Sequence, residues 1–249
     1  GGSYENRMRF PLEVVRQIRE EIGTDFILMF RLSMLDLVED ASDIDEVIEL
    51  AKELEKAGIN IINTGIGWHE ARVPTIVTSV PRAAFADITG RVKKELSIPV
   101  VASNRINMPD IAEDIISSGK ADMVSMARPF LADSEWVNKA AEGRADEINT
   151  CIACNQACLD HTFQMKRASC LVNPRAGHET KLLYTPVIKA KKIAVVGAGP
   201  SGLACATVAA QRGHKVTLFE GRDVIGGQFN YASKIPGKEE FLETIRYFL

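Results

Sequence analysis

Short apolar segments alternate with amphipathic helical segments along residues 10–142 of this chain. The apolar runs predict buried strands, and each is followed by a stretch with helical spacing at about 30 residues per strand and helix. The predicted strands are residues 26–30, 59–62, 99–102 and 121–126, and the predicted helices are residues 10–22, 43–57, 82–96, 109–118 and 134–142. This strict alternation constrains the chain to a parallel sheet with crossover helices.

Two α/β architectures fit this alternation equally well. One is a doubly wound sheet, and the other is half of an eight-stranded barrel. Both place their chemistry at the carboxyl ends of the strands. The polar residues near the predicted strand ends are Arg31, His69, Glu70, Asn104, Arg105 and Arg128.

A second domain is predicted to open near residue 191. A strand at 192–196 leads into a glycine loop, a helix at 203–211 follows, and a second strand at 215–220 ends in Glu220. Such glycines let the backbone approach a pyrophosphate, and the acidic residue can bind a ribose hydroxyl. The loop glycines are Gly197, Gly199 and Gly202, and Gly226, Gly227 and Gln228 form a further close-approach loop that favours FAD over NAD.

Four cysteines lie between these two regions, with the spacing C-x2-C-x3-C-x11-C. They are Cys151, Cys154, Cys158 and Cys170. Four thiolates suit a tetrahedral zinc ion or an iron–sulfur cluster, and three cysteines within eight residues plus a remote fourth favour a 4Fe-4S cluster. Ordinary buried cysteines are the remaining interpretation. Cys205 is predicted to pack in the core.

Composition narrows the class of protein. The formal net charge of −3 arises from 30 basic and 33 acidic residues without a basic stripe, so nucleic acid is not an expected partner. No apolar run approaches the roughly 20 residues that cross a bilayer. The few cysteines favour a reduced, cytoplasmic setting. The start at Gly1 and the stop at Leu249, inside a helix predicted over residues 239–249, suggest a fragment of a longer protein.

Several motifs together resemble the old yellow enzyme-like flavoproteins that carry a cluster and a second flavin domain. Within that family the resemblance is greatest to the bacterial NADPH-dependent 2,4-dienoyl-CoA reductases. The similar segments are residues 1–10, Phe30-Arg31-Leu32-Ser33, Asn63-Thr64-Gly65-Ile66-Gly67-Trp68-His69-Glu70-Ala71-Arg72, Cys151-Ile152-Ala153-Cys154-Asn155-Gln156-Ala157-Cys158 and Pro236-Gly237-Lys238-Glu239-Glu240-Phe241.

The resemblance implies three parts: the C-terminal part of an FMN-binding TIM barrel (1–148), a cluster connector (149–190) and the beginning of an FAD-binding Rossmann-like domain (191–249). Electrons would pass from NADPH through FAD and the cluster to FMN, and then as hydride to a 2,4-dienoyl-CoA in the β-oxidation of unsaturated acyl chains.

The resemblance also implies roles for individual residues. Arg31, Asn104, Ala127 and Arg128 would hold FMN, with Arg31 near the flavin ring and Arg128 at the phosphate. His69 would be the catalytic histidine, and Glu70, Ala71, Arg72 and Val73 would border the substrate. Ser201, Glu220 and Gln228 would contact FAD.

Other functions remain open at this point. A 2-enoate reductase or a trimethylamine dehydrogenase-like enzyme would use the same cofactors, although the three residues between Cys154 and Cys158 argue against the latter. A non-catalytic electron-transfer or zinc-binding module is the alternative from another class. The family's first four barrel strands do not occur in this sequence, so the chain alone is expected to be unstable or inactive.

Overall fold

The computed structural model describes residues 1–68 and 70–249. Its residues form two compact units, one made of Gly1–Ile76 and Val80–Met126 and the other of Val77–Ser79 and Ala127–Leu249. The three-part division at 148 and 190 stays a prediction. The predicted catalytic residue His69 lies outside the described residues.

The described residues of the first unit contain a four-stranded parallel sheet. Its strands are β1 (Met29–Leu35), β2 (Ile61–Ile66), β3 (Val100–Ala102) and β4 (Met123–Val124). They pair in the order β1-β2-β3-β4, so each strand lies beside its successor in the sequence. A doubly wound sheet reverses its order at a switch point, whereas a barrel keeps sequential order. The topology therefore favours the barrel.

Four helices connect or precede these strands. They are α1 (Tyr4–Ile22), α2 (Ile44–Lys56), α3 (Ala86–Lys93) and α4 (Pro109–Ser117). Helix α2 begins as its sequence predicts, because the Asp43 side chain accepts a hydrogen bond from the Glu46 N–H at 2.8 Å.

The core of the first unit lies between these helices and the sheet. Each helix supplies one apolar stripe, as the helical spacing predicts. Among the buried residues are Met8, Leu12 and Val15 of α1, Val47, Ala51 and Leu54 of α2, Leu32 and Met34 of β1, and Ile62 and Ile66 of β2.

The first strand is displaced from its predicted position. The apolar run at 26–30 predicts a strand buried on both faces, but Phe26 is 67% exposed and Ile27 is 74% exposed. The strand begins at Met29, where pairing with Ile61 sets its register, and continues through the polar residues Arg31 and Ser33. Pairing with the neighbouring strand, which is not local in sequence, thus outweighs the apolar pattern.

The second unit begins with α5 (Arg128–Ala132), α6 (Trp136–Ala141) and a 3-10 helix (Ala145–Glu147). The cysteine-rich stretch that follows has little regular structure, as predicted, apart from α7 (Leu159–Phe163). Strand β5 (Lys192–Val196), helix α8 (Pro200–Gln211) and strand β6 (Lys215–Phe219) form the predicted strand, helix and strand, and β5 pairs with β6 in parallel.

The last part of the second unit is helical. Helix α9 (Phe229–Ala232) is followed by a 3-10 helix (Glu239–Phe241) and by α10 (Leu242–Phe248), so the helix predicted over 239–249 has two segments. None of the described helices has the length and apolarity that crossing a membrane requires.

Candidate functional site

A row of polar side chains crosses the sheet of the first unit. Arg31 lies within β1 rather than after it, and the strand register places it beside Asn63 of β2. The Arg31 guanidinium donates to Oδ1 of Asn63, and Nδ2 of Asn63 donates to Oγ of Ser125 at 3.3 Å. Sequence reasoning gave no individual role to Asn63, which lies in one of the similar segments, or to Ser125. The signal in the sequence was that Asn63 is a polar residue within an apolar strand. The strand register then places it opposite Arg31.

The loop after β3 is held in an uncommon conformation. Asn104 and Arg105 have φ of 70° and 57°, which non-glycine residues rarely adopt. Arg105 is buried, and its Nε donates to the carbonyl of Val80 at 2.7 Å. Arg105 therefore fixes the loop from inside the fold. Asn104, the predicted flavin contact, is held at the surface by this turn, and Oγ of Ser103 lies 2.9 Å from its Oδ1.

The predicted substrate segment, Glu70 to Val73, follows a turn at Gly67 after β2. The Ala71 N–H donates to the carbonyl of Trp68 at 3.0 Å. Glu70, Arg72 and Val73 are exposed and Ala71 is partly buried. Their side chains are accessible to a ligand, and their roles stay a prediction.

Ala127 and Arg128, both predicted FMN contacts, lie in the second unit, where Arg128 opens helix α5. The Arg128 guanidinium donates to Oδ1 of Asn155, which lies in the cysteine-rich loop. Arg128 also lines the same small pocket as the cysteines. Asn155 is a third residue to which sequence reasoning gave no individual role, because its partner is 27 positions away.

The four predicted metal ligands line one pocket in the second unit. Cys151, Cys154, Cys158 and Cys170 share this pocket with the apolar side chains of Leu131, Ile152, Leu171 and Val172. All four are free thiols. Cys205, in contrast, is exposed on α8, so its predicted core position is wrong.

The cysteine loop has backbone features typical of iron–sulfur sites. Ala153 and Asn155 have φ of 52° and 61° although neither is glycine. Left-handed residues in such loops form concave nests of N–H groups that bind anionic clusters. The N–H of Gln156 hydrogen-bonds the sulfur of Cys154, and the N–H of Val172 hydrogen-bonds that of Cys170. Hydrogen bonds to sulfur are one of the means by which proteins adjust a cluster's potential.

Burial raises the pKa of two of these thiols. Desolvation raises the pKa of Cys154 and raises that of Cys170 to about 12, with the neighbouring cysteines adding to both shifts. Thiols must lose their protons to ligate a metal, so a metal centre bound in this pocket would lower both pKa values. Within residues 1–68 and 70–249, no three His, Cys, Asp or Glu side chains are grouped so as to hold a metal ion. A cubane gives each of its thiolates a separate iron, so its ligands lie further apart than those of a single ion. The residues present therefore fit a 4Fe-4S cluster in donor type and in backbone shape.

The glycine loop of the second unit is closely packed. A Cβ atom on Gly202 would lie 1.9 Å from the carbonyl oxygen of Gly197, so this position accepts only glycine. A Cβ atom on Gly227, whose φ is 52°, would lie 2.9 Å from Cα of Gly199. The two predicted glycine loops thus touch each other, and Ser201 and Gln228 lie exposed at the starts of α8 and α9.

Glu220 joins the end of β6 to the glycine loop. Its Oε2 accepts the N–H of Ala198 at 2.7 Å, and its Oε1 accepts the N–H of Arg222 at 3.0 Å. These backbone donors lower the pKa of Glu220. An ionised carboxylate that retains lone pairs can also accept a ribose hydroxyl, which is the role that the sequence predicts.

A larger cavity of about 330 Å³ lies against the cysteine loop, also within the second unit. Its polar lining includes Thr78, Gln156 and Lys238, and Phe241 supplies an aromatic wall. Cys154 borders this cavity as well as the cysteine pocket. Cys154 therefore lies between this cavity and the site of the predicted cluster.

The sheet order of the first unit is that of a barrel part, and the strand, glycine loop and helix of the second unit are those of a nucleotide-binding domain. Residues 1–147 match the NADH:flavin oxidoreductase / NADH oxidase family, whose flavin is FMN, and the chain belongs to this family. Residues 195–246 match an NAD(P)-binding Rossmann-like domain. The α/β fold predicted from sequence, a TIM-barrel part followed by a Rossmann-like segment, is thereby confirmed.

Individual relatives give finer detail. The chain is 46% identical to a metal reductase of Desulforamulus reducens, over 100% of this chain and 37% of the relative. It is 35% identical to a cinnamate reductase of Clostridium sporogenes, over 95% of this chain and 37% of the relative. A solved 2-naphthoyl-CoA reductase in complex with 2-naphthoyl-CoA superposes with a TM-score of 0.96 at 41% identity, over 100% of this chain and 38% of that structure. The chain thus spans little more than a third of the length of these relatives.

Proposed function

We propose that the protein reduces carbon–carbon double bonds conjugated to a carbonyl group, with electrons taken from NADPH. The observation that carries this proposal is the pocket shared by Cys151, Cys154, Cys158 and Cys170, in a chain that also has an FMN-type barrel part and a nucleotide-binding loop. When bound, FAD would accept hydride from NADPH, a 4Fe-4S cluster would carry single electrons, and FMN would deliver hydride to the substrate.

The residues of the second unit would receive the nucleotide and the cluster. The glycine loop lets a pyrophosphate approach the N-terminus of α8, and Glu220 would accept a ribose hydroxyl of FAD. The side chains of Leu131 and Ile152, which line the cysteine pocket, would exclude water from the cluster. Backbone donors to the sulfurs of Cys154 and Cys170 would stabilise negative charge there.

Arg31 and Arg128 would each bind part of FMN. Arg31 is exposed and oriented by Asn63, which suits a hydrogen bond to the electron-rich edge of a flavin ring. Arg128 would bind the phosphate, and Ala127 and Asn104 would line the cofactor. His69, beside the accessible residues Glu70 to Val73, would hydrogen-bond the substrate carbonyl, which stabilises the enolate that forms as hydride adds.

The substrate class follows from chemistry and from two relatives. A polarised carbonyl lowers the barrier only when it is conjugated to the double bond that is reduced. One relative is a cinnamate reductase, and one solved structure holds a CoA ester of an aromatic acid. We propose an unsaturated acyl-CoA, with a 2,4-dienoyl-CoA as the first substrate to test and a free 2-enoate as the alternative.

The experiment uses the protein at the full length of its relatives, purified without oxygen. Loss of diene absorbance from a 2,4-dienoyl-CoA is followed with NADPH, and cinnamate is tested in parallel. Turnover of the thioester alone supports the dienoyl-CoA proposal, and turnover of cinnamate alone supports the enoate alternative. Turnover of neither, by protein shown to contain flavin and iron, overturns the proposal.

One relative favours a second candidate function. The metal reductase of Desulforamulus reducens has the highest identity of the three relatives described, 46%. A one-electron carrier near the protein surface could also reduce a chelated metal ion. Reduction of ferric citrate with NADPH as the electron donor, at a rate above that of dienoyl-CoA reduction, would favour this second function.

A further inference from the structure

Several hydrogen bonds hold the backbone segment just before Cys151, although Oδ1 of the buried Asn149 side chain has no hydrogen-bond partner among the described residues. Asn149 is buried, and its N–H donates to Oδ2 of Asp133 at 2.9 Å. The Asp133 carboxylate is paired with the ammonium of Lys139 at 2.7 Å, with side chains that are 7% and 16% exposed. The same ammonium donates to the carbonyl of Glu147 at 2.9 Å. One buried ion pair therefore fixes the segment at both 147 and 149.

The Asn149 side chain reaches the segment that carries the fourth cysteine. Its Nδ2 donates to the carbonyl of Val172 at 2.8 Å, two residues after Cys170. Asn149 thus lies two residues before Cys151, the first cysteine. Its partner Val172 lies two residues after Cys170, the fourth cysteine. A single side chain joins the two segments that must supply ligands to one cluster.

Further contacts hold the segment around Cys170. The N–H of Ser169 donates to the carbonyl of Ala157 at 2.7 Å, next to Cys158. Nδ2 of Asn173 donates to the carbonyl of Leu131 at 2.9 Å. Cys170 is therefore restrained on both sides, and the Asn149 bond connects its segment to the Cys151 segment and, through Asp133, to an ion pair.

The cysteine segment is also held from α10. Arg246 donates to the carbonyl of Ile148 at 2.7 Å and to Oγ1 of Thr150 at 3.1 Å. Asn149 therefore lies between two residues that are themselves anchored. Such restraint favours a site that has its shape before the ligand arrives, rather than one that the ligand must organise.

We propose that Asn149 is a positioning residue for the cluster, and that its bond to Val172 sets the separation of Cys151 and Cys170. This inference rests on the proposed function, because it requires a cluster in the cysteine pocket. Loss of the bond would let the Cys170 segment move away, so one iron would become open to chelators and to oxygen. The electrostatic surroundings of the cluster would change at the same time, and with them its reduction potential.

The test compares Asn149→Asp with Asn138→Asp in the full-length holoprotein. The first change keeps the size of the side chain but puts an oxygen against the Val172 carbonyl. The second makes the same chemical change on an exposed asparagine of α6, whose bond to Glu135 lies outside this network. For each variant we measure iron loss to a ferrous chelator, the midpoint potential of the cluster and the content of FMN.

We expect Asn149→Asp to lose iron at least ten times faster than wild type and to shift the midpoint potential, with FMN content unchanged. Asn138→Asp should match wild type in all three. A merely structural role for Asn149 would lower FMN content and thermal stability without shifting the potential of the cluster that remains. Should Asn149→Asp not fold, Asn149→Ala removes the bond to Val172 without adding charge, and faster iron loss is expected from it as well.

The outcomes separate this inference from the proposed function. Wild-type protein without iron and sulfide would overturn the cluster, and the inference with it. Wild-type protein with a cluster that Asn149→Asp retains as firmly as Asn138→Asp would overturn the inference alone.

Discussion

Oε2 of Glu220 accepts a hydrogen bond from the N–H of Ala198 at 2.7 Å. This bond joins the end of one strand to the glycine loop that follows the other strand of the pair. We propose that this carboxylate also accepts a ribose hydroxyl of a bound nucleotide. The hydrogen bond therefore fixes the glycine loop against the end of β6.

The Glu220 bond predicts a pH dependence of stability. Backbone donors at Ala198 and Arg222 lower the pKa of Glu220 in the folded state. Because the folded pKa lies below the unfolded one, the stabilisation is present above the unfolded pKa and is lost as the pH falls through the folded pKa. Glu220→Gln should remove this contribution. The urea midpoints of wild type and variant, measured from about pH 3 to pH 7, should converge at the acid end.

The control for Glu220 is Glu113→Gln on an exposed position of α4. It should leave the pH profile of wild type intact. A constant difference between Glu220→Gln and wild type at every pH would show that the carboxylate charge is not what the backbone donors stabilise.

The contact between Gly202 and Gly197 predicts strong intolerance of a methyl group. A Cβ atom at Gly202 would lie 1.9 Å from the Gly197 carbonyl oxygen, so Gly202→Ala must open the loop. Overpacking of this kind costs roughly 1–3 kcal/mol. We expect FAD content of the full-length protein to fall at least tenfold, as measured by released flavin, with FMN content retained.

Gly221→Ala is the matched control for Gly202→Ala. A Cβ atom at Gly221 has no atom within 4 Å, and this glycine does not have a positive φ. FAD content equal to that of wild type is expected. Equal FAD content in both variants would contradict the proposed pyrophosphate site.

The cysteine pocket predicts that Cys170 and Cys205 respond differently to substitution. Cys170 lines the pocket together with three other cysteines, whereas Cys205 is exposed on α8. Cys170→Ser should lose most of the iron and the visible absorbance of the cluster, and Cys205→Ser should lose neither. Iron retention by Cys170→Ser, with acid-labile sulfide unchanged, would remove Cys170 from the ligand set.

The hydrogen bond between Arg31 and Asn63 predicts a role for Asn63 in flavin binding. Asn63→Ala releases the guanidinium from the position that β-strand register gives it. Because Arg31 is exposed, the variant should lose about 1 kcal/mol of FMN binding free energy, which is a roughly five-fold increase in the dissociation constant for FMN. Fluorescence titration of flavin-free protein measures it. Asn138→Ala serves as the control, and equal FMN affinity in both variants would contradict the role.

Local patterns in the sequence predict some of this structure well. Asp43 is a capping residue followed by a helical stripe, and the glycine loop is flanked by a strand and a helix, so both features are encoded within about 15 residues. The spacing of the four cysteines also predicts that they lie together, because a metal centre is the usual reason for such spacing.

Contacts between distant segments could not be predicted in the same way. Phe26 and Ile27 continue an apolar run but are exposed, because the pairing of Met29 with Ile61 decides where β1 begins. The bond of Asn149 to Val172 spans 23 residues and that of Arg128 to Asn155 spans 27. Nothing in the residues beside each partner indicates such contacts.

The most direct test of this account is the metal content of the full-length protein, purified without oxygen and reduced with dithionite for electron paramagnetic resonance. The account predicts about four irons and four acid-labile sulfides per chain, with the signal of a reduced 4Fe-4S cluster that Cys170→Ser abolishes. Stoichiometric zinc without sulfide would contradict it and would make the cysteine pocket a structural site.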